Sequence, residues 1–375
     1  MNYIVLSKRG LYCFYGKHGG LFWKQYTDNK WSKSSCIKKD GVINFSVSLF
    51  EGNILILCQR ASQVEKIIFE QGVLTTSTLV SGGLAGQYYG IGLQDDIYVI
   101  HSIPVQAEPS HILMSHNVSS QGMWSNSKHL GRVVPYDGGN SFRVVPICGQ
   151  HYLVFYQAAA SGSGADFGYR EVYGADTMSD FKIIQPSANI NTQNSSFLAS
   201  TEAIHMVYVT KNILNTSLVY RRLDANGLSP KVAISSGHQV YNTLIYIEDN
   251  VVHVVFARGD EVFECTILED EQLYASTPKR HVDKYPQQTS VSVFLQDKEY
   301  KNDFLTNSIY VSAEKPWDVQ LFSQIYHIID NQQKTSHQYI YEHQNHQIGS
   351  QNEYDSFFES FDDVDEIKKI IRTSQ

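Results

Sequence analysis

Ala203-Ile204-His205-Met206-Val207-Tyr208-Val209, then Ser217-Leu218-Val219-Tyr220-Arg221-Arg222-Leu223, Asn226-Gly227, and Leu228-Ser229-Pro230-Lys231-Val232-Ala233-Ile234 form the stretch that decides the fold. The first run reads as an apolar second strand, the next as a third strand, Asn-Gly as the turn, and the last as a fourth strand. The same second strand recurs as Leu11-Tyr12-Cys13-Phe14-Tyr15, Ile54-Leu55-Ile56-Leu57-Cys58 and Ile97-Tyr98-Val99-Ile100-His101. It returns as Tyr152-Leu153-Val154-Phe155-Tyr156 and Val251-Val252-His253-Val254-Val255-Phe256, with a degenerate seventh copy at Phe304-Leu305-Thr306.

A bulky residue opens the fourth strand of each copy: Trp31, Leu74, Trp124, Phe181, Leu228, Leu273 and Trp317. These anchors lie 43, 50, 57, 47, 45 and 44 residues apart. A four-stranded antiparallel sheet repeating at about 40–50 residues is the signature of a propeller blade. Each such sheet buries its faces only against its neighbours, so the ring has to close. The expected fold is therefore all-β, a seven-bladed β-propeller over residues 1–330, with six or eight blades as the alternatives because the last copy is weak. Long segments of helical period between the strands, which a parallel α/β fold needs, are missing. Two closures are open: residues 1–7 pair with the last blade, or Ile325-Tyr326-His327-Ile328-Ile329 adds a strand across the seam.

Composition agrees with a large core. Of 375 residues, 42% are hydrophobic and 18% charged, which excludes a disordered chain. The formal charge of −8 argues against the basic surface that nucleic-acid binding uses, and against attraction to anionic lipid. The N-terminus places its short apolar run before Lys8-Arg9, the reverse of a signal peptide. No run approaches the roughly 18–20 apolar residues of a membrane span. Five cysteines (Cys13, Cys36, Cys58, Cys148, Cys265) lack CxxC spacing and sit in apolar strand-like runs, so each is expected to be a small buried hydrophobe. The expected location is cytoplasmic, and the sequons at Asn44, Asn117, Asn194 and Asn215 then carry no meaning.

Beyond the repeat the composition changes. Gln, Asn, His and Ser dominate a polar linker, 331–355, and residues 356–375 read as a helix opened by the capping box Ser356-Phe357-Phe358-Glu359. Phe357, Phe361, Val364, Ile367 and Ile371 form its apolar stripe, with acids leading and bases trailing as the helix dipole favours. So short a helix is marginal alone in water, so the stripe needs a partner: the propeller's own flank, another protein, or a second copy.

Catalytic signatures are sparse. There is no GxSxG, HExxH, CxxC pair or Walker loop. Gly162-Ser163-Gly164-Ala165-Asp166-Phe167-Gly168 falls between two strands with no helix behind it, and reads as a hairpin loop. His337, Glu342, His343 and His346 lie in the polar linker and read as solvated, so no metal or other cofactor is expected. His101, His205 and His253 occupy second-strand positions and read as core histidines. A sialidase-type site needs three arginines, a Tyr nucleophile with a Glu partner, and an acid/base Asp. Among ten arginines only Arg60, Arg143 and Arg258 are candidates to point inward, while Arg221 and Arg222 belong to a third strand. Tyr12, Trp23, Tyr88, Tyr89, Tyr136 and Tyr169 are the aromatics that could stack on sugars, or else pack between blades.

The stretch Leu-Val-Tyr-Arg-Arg-Leu-Asp-Ala-Asn-Gly-Leu-Ser (218–229) resembles the BNR or Asp-box repeat of sialidase-like propellers, roughly Tyr-x-Ser-x-Asp-x-Gly-x-x-Trp. Arg222 stands in place of the Ser and Leu228 in place of the Trp, so the motif is degenerate. Asp-boxes are hairpin-turn structure in that family and imply no catalysis. Residues 1–330 also resemble Firmicute propeller proteins to which no activity is assigned, which open with a similar Leu-Ser-Lys-Arg-Gly-Leu-Tyr-Cys (6–13) and carry Trp-Ser after a turn, here Trp31-Ser32 and Trp124-Ser125. WD40 repeats are disfavoured, since Trp317-Asp318 is the only WD dipeptide; Kelch repeats are disfavoured, since the Gly pairs do not recur in later blades. The functional expectation is a non-enzymatic interaction scaffold with a protein-binding or self-associating C-terminal helix. The alternative is a lectin-like or sialidase-like propeller that takes a glycan.

Overall fold

The computed structural model describes residues 2–311 apart from 8–9, 29, 51, 71, 82–85, 94–95, 107–109, 119–123, 136–139, 149–150, 160–163, 174–176, 187–190, 201, 212–215, 238, 260, 271, 283–286, 294–303 and 307. Everything regular in it is strand, and the strands fall into four-stranded antiparallel meanders of blade type. The first holds β1 (Asn2–Ser7), β2 (Gly10–Lys17) and β3 (Gly20–Thr27), with β4 (Lys30–Trp31) and β5 (Ser35–Lys38) sharing the fourth place. The second is β6 (Val42–Phe50), β7 (Asn53–Arg60), β8 (Gln63–Glu70) and β9 (Val73–Ser81). The third is β10 (Tyr88–Leu93), β11 (Asp96–Pro104), β12 (His111–Val118) and β13 (Lys128–Val133).

The fourth is β14 (Phe142–Cys148), β15 (His151–Ala159) and β16 (Ala165–Tyr173), with β17 (Thr177–Met178) and β18 (Lys182–Gln185). The fifth is β19 (Asn191–Ala199), β20 (Ala203–Lys211) and β21 (Thr216–Asp224), with β22 (Gly227–Leu228) and β23 (Val232–Ser236). The sixth is β24 (Tyr241–Glu248), β25 (Val251–Arg258) and β26 (Glu261–Glu269), with β27 (Leu273–Ala275) and β28 (Lys279–Val282). The expected second strands are thus β2, β7, β11, β15, β20 and β25.

Their apolar sequences are explained by where the core sits, which is between the sheets. Phe14, Leu21 and Tyr12 of the first meander pack on Ile56, Ile67 and Phe69 of the second. Leu55 and Leu57 meet Tyr88, Ile97 and Val99; Ile100 and Leu113 meet Phe142, Val154 and Tyr156. Phe155 and Phe167 meet Phe197, Met206 and Tyr208, and Val207 and Tyr220 meet Val254, Phe256 and Cys265. A second strand has one face toward each neighbour, so both faces must be apolar. Phe155 stacks on Phe197 with ring centres 4.0 Å apart, and each such fully buried ring contributes about 1.5–3 kcal/mol. Where the inner strands β6 and β10 come closest, sequence permits it: a Cβ on Gly92 would sit 2.7 Å from the Phe50 Cα, and one on Gly90 2.9 Å from Leu57. Ser48 Oγ donates to the Gly90 carbonyl across the same gap at 2.7 Å.

The two ends of the series are bridged by β29 (Gln287–Val293), β30 (Phe304–Thr306) and β31 (Ser308–Val311). β29 runs parallel to β1, pairing Tyr3 with Ser290 and Val5 with Ser292, and β31 lies on its other side. This closure is a form of the first alternative, in which residues 1–7 pair with the last copy. The expected seventh second strand, Phe304-Leu305-Thr306, is corrected: β30 pairs antiparallel with the inner strand β24, Leu305 opposite Ile247. Three residues are too few to span a sheet of eight-residue strands, and they add to an existing edge instead. Trp317, 325–329, the linker and the whole tail helix lie outside the described residues. Among the described residues no helix is long and apolar enough to cross a membrane.

Candidate functional site

Among the described residues, the side chains with reactive chemistry considered for a site fall into three clusters. In the first, the end of β11, the start of β12 and the start of β14 bring Ser102, His111 and Ser141 together. Ser141 Oγ lies 2.9 Å from His111 Nδ1 and Ser102 Oγ 3.4 Å from the same nitrogen. Gln87 stitches the cluster to both meanders: its Oε1 accepts from the Ser141 amide at 2.8 Å and its Nε2 donates to the Phe142 carbonyl at 3.1 Å. A Ser–His pair at this distance has the reach of an activated nucleophile. Both hydroxyls, however, are 0% exposed, and burial holds His111 below its ordinary pKa. No substrate carbonyl can approach, and the cluster acts as a latch between adjacent sheets.

The second cluster contains the Tyr–Glu pair that sialidase chemistry uses. Glu264 Oε1 accepts from the Tyr246 hydroxyl at 2.5 Å and meets His253 Nδ1 at 2.7 Å, while the Tyr246 and His253 rings stack 4.4 Å apart. Tyr246 is only 4% exposed, and β30 covers its strand, with Thr306 opposite it. Burial, the Glu264 hydrogen bond and the Glu264 charge all push the phenol pKa up. A phenolate nucleophile needs the reverse, so the group braces β24, β25 and β26. In the third cluster Lys182 Nζ reaches Glu171 at 2.6 Å, with His151 Nε2 3.8 Å from the same carboxylate and stacked on Tyr173.

Each of the three arginine candidates has a neighbour of its own. Arg60 faces Asp40 at 3.6 Å, Arg258 lies over the Phe263 ring at 4.3 Å, and Arg143 stands on β14, where its charge acts on the buried Tyr3. Three different meanders hold them, each with its own neighbour. Arg221 and Arg222 are on the third strand β21, as expected: Arg221 donates to the Ser229 and Ile184 carbonyls at 2.8 Å, and Arg222 pairs with Asp224 and Glu269. Asp224 Oδ1 also accepts the Asn226 amide at 2.8 Å, so the Asp-box-like stretch is a hairpin turn here.

His205 is a satisfied core histidine, 2.7 Å from the Tyr220 hydroxyl and 3.3 Å from Ser200 Oγ. His101 is stacked between Tyr88 and His116, with its Nδ1 buried and unpartnered. Burial holds both histidines down to about 4. Tyr12, Tyr88 and Tyr169 are buried between sheets, Trp23 and Tyr89 partly so, and Tyr136 lies outside the described residues. Cys13, Cys58 and Cys265 are buried as expected, but Cys36 is exposed, because β5 is an outermost strand with only one packed face. Among the described residues no group of three or more His, Cys, Asp or Glu could hold a metal ion. His337, Glu342, His343, His346 and the apolar stripe Phe357, Phe361, Val364, Ile367 and Ile371 lie outside the described residues.

A serine clamp repeats in four of the meanders, and one of its copies contains the dipeptide Trp31-Ser32. Ser32, Ser179, Ser229 and Ser276 each close the third strand by accepting its amide on Oγ and donating their own amide back, to Gln25, Glu171, Arg222 and Thr266. The residue before that amide is cationic in three of them, and Lys24, Arg170 and Arg221 reach the serine carbonyl at 3.0, 2.7 and 2.8 Å. Met178 and Ala275, rather than the expected anchors Phe181 and Leu273, therefore stand where Trp31 and Leu228 do. On the outside, Leu268 and Tyr274 face each other across β26 and β27 and are 36% and 49% exposed.

No protein-family model and no curated protein matches the chain. Among solved structures, it is similar to an Aleuria aurantia lectin mutant in complex with α-methyl-L-fucoside, at 12% identity over 74% of this chain and 93% of that one, TM-score 0.42. It is similar to a subtype N10 neuraminidase-like protein of A/little yellow-shouldered bat/Guatemala/060/2010, at 12% identity over 72% of this chain and 94% of that one, TM-score 0.43. A third is an α-L-arabinofuranosidase from Clostridium thermocellum, at 8% identity over 64% and 95%, TM-score 0.34.

Proposed function

We propose that the chain is a non-enzymatic propeller scaffold whose work is binding other macromolecules. One observation carries this reading. In the two constellations with reactive geometry the groups that would react, the Ser141 hydroxyl beside His111 and the Tyr246 phenol beside Glu264 and His253, are buried, and these side chains hold strands and sheets together. What such a frame offers to solvent is loops on a rigid support and outward apolar pairs such as Leu268 with Tyr274, which suits recognition. The ring is assigned seven positions, the seventh filled by residues after 286. The tail helix, with Phe357, Phe361, Val364, Ile367 and Ile371 as its contact stripe, is the second binding element.

The test is affinity capture with the full chain and with a Phe361→Asp/Ile367→Asp variant. A stoichiometric partner held by the first and lost by the second is the expected outcome. Capture that is indifferent to the double substitution removes the helix from the proposal.

A further inference from the structure

In four of the six described meanders the outermost place is filled by two short strands broken at a serine, none longer than five residues. The second is different. Its outer strand β9 runs nine residues, Val73-Leu74-Thr75-Thr76-Ser77-Thr78-Leu79-Val80-Ser81, and ends its sheet with no strand beyond it among the described residues. Edge strands are normally blunted by lysines, prolines, bulges or brevity. This one has no charged residue, no proline and a single register shift at its far end, and Thr75, Thr76, Ser77 and Thr78 are all exposed.

We infer that β9 is the seam of a symmetric dimer, pairing antiparallel with β9 of a second copy of this chain. The register pairs Glu70 with Val73, which makes them the closing bonded pair of the β8–β9 hairpin. Alternation then turns the backbone groups of Leu74, Thr76 and Thr78 outward. That outward set is symmetric about Thr76. A two-fold axis there sets Thr76 against Thr76 of the second copy and Leu74 against its Thr78, giving about six backbone hydrogen bonds, two for each facing pair. Thr75 then faces Ser77 of the second copy, a hydroxyl pair that antiparallel sheets favour. The Leu79 carbonyl, which accepts Trp124 Nε1 at 3.1 Å, lies beyond this register and is undisturbed.

The occupant is a second copy because the strand is complementary to its own image. Each copy carries −8, so two of them associate best where the local charge is zero, and a two-fold axis places each residue at its centre against itself. An uncharged Thr at that centre meets both demands, whereas Lys or Glu there would repel its own image. The inference is independent of what the loops or the tail bind.

Sedimentation equilibrium of the full chain over a wide concentration range tests it, beside Thr76→Pro and Thr76→Lys. The proline removes an N–H that points away from β8, so the hairpin keeps its bonds; the lysine sets like charges face to face. Both variants are expected to weaken the dimer about tenfold or more, with an unchanged unfolding midpoint at concentrations where the chain is monomeric. Hydrogen exchange at the Leu74, Thr76 and Thr78 amides should slow as the wild-type dimer forms, and exchange at Thr75 and Ser77 should not respond. A wild-type chain that stays monomeric overturns the inference. So does a dimer that both variants leave intact, or exchange at those three amides that is indifferent to concentration.

Discussion

Acidification should unfold this protein through His205. The ring is 6% exposed, sits 2.7 Å from the Tyr220 hydroxyl, and is held neutral by burial first and by the nearby Arg222 charge second, with Asp224 opposing. Its pKa falls from 6.5 to about 4. A histidine depressed in the folded state lends stability above the unfolded pKa and loses it as pH drops from there toward the folded value. The unfolded chain takes up the proton near pH 6.5, the folded chain only near pH 4. The linkage integral between those values gives a loss of about 2 kcal/mol on going from pH 7 to pH 5, and about 3 kcal/mol by pH 4. Urea unfolding at pH 7 and pH 5 reads this directly, with wild type beside His205→Gln, which can still bond to the Tyr220 hydroxyl but cannot titrate. The variant should lose about 2 kcal/mol less than wild type over that interval. Equal losses in both proteins would refute the reasoning. His101, held to about 4 by burial and by His116, should behave likewise in the third meander.

Gly92→Ala should destabilise by about 1–3 kcal/mol or more, since its methyl collides with the Leu49 carbonyl and the Phe50 backbone and forces β6 and β10 apart; a urea series measures it. Ser229→Ala and Ser179→Ala should each cost about 1 kcal/mol for a lost bond to a third-strand amide, and the double variant should be additive because the two serines serve different sheets. Cys36 should react with a thiol reagent in the native protein. Cys58, whose thiol is pushed up to about 11, and Cys13 and Cys265, pushed up to about 12, should react only on unfolding; mass mapping of labelled peptides distinguishes them.

The repeat was legible because burial on two faces leaves an unambiguous mark. Ile54-Leu55-Ile56-Leu57-Cys58 and its counterparts could only be strands with a neighbour on each side. The serine clamps were not legible as a motif, because the turn between partners varies: Gln25 to Ser32 and Arg222 to Ser229 are seven apart, Glu171 to Ser179 eight, Thr266 to Ser276 ten. A scan at fixed offset passes over such a device. The closure of Tyr3 on Ser290 joins residues from opposite ends of the chain, and local pattern carries no register for it. The partners of Ser141 and Glu264 come from different strands, so a sequence can name the histidines without revealing the hydroxyl, phenol and carboxylate they meet, or that the hydroxyl and the phenol are buried. Cys36 shows the converse error: an apolar setting in sequence, Ser35-Cys36-Ile37, is an exposed edge in space.

The most direct test of the scaffold reading is a glycan-array screen with the full chain, because sugar recognition is the alternative that a propeller most readily supports. The aromatic faces that would stack on a sugar are turned inward at Tyr12, Tyr88 and Tyr169, so the account predicts no saturable binding that free sugar can compete away. Saturable, sugar-competed binding would contradict it and make a lectin or glycosidase the better description.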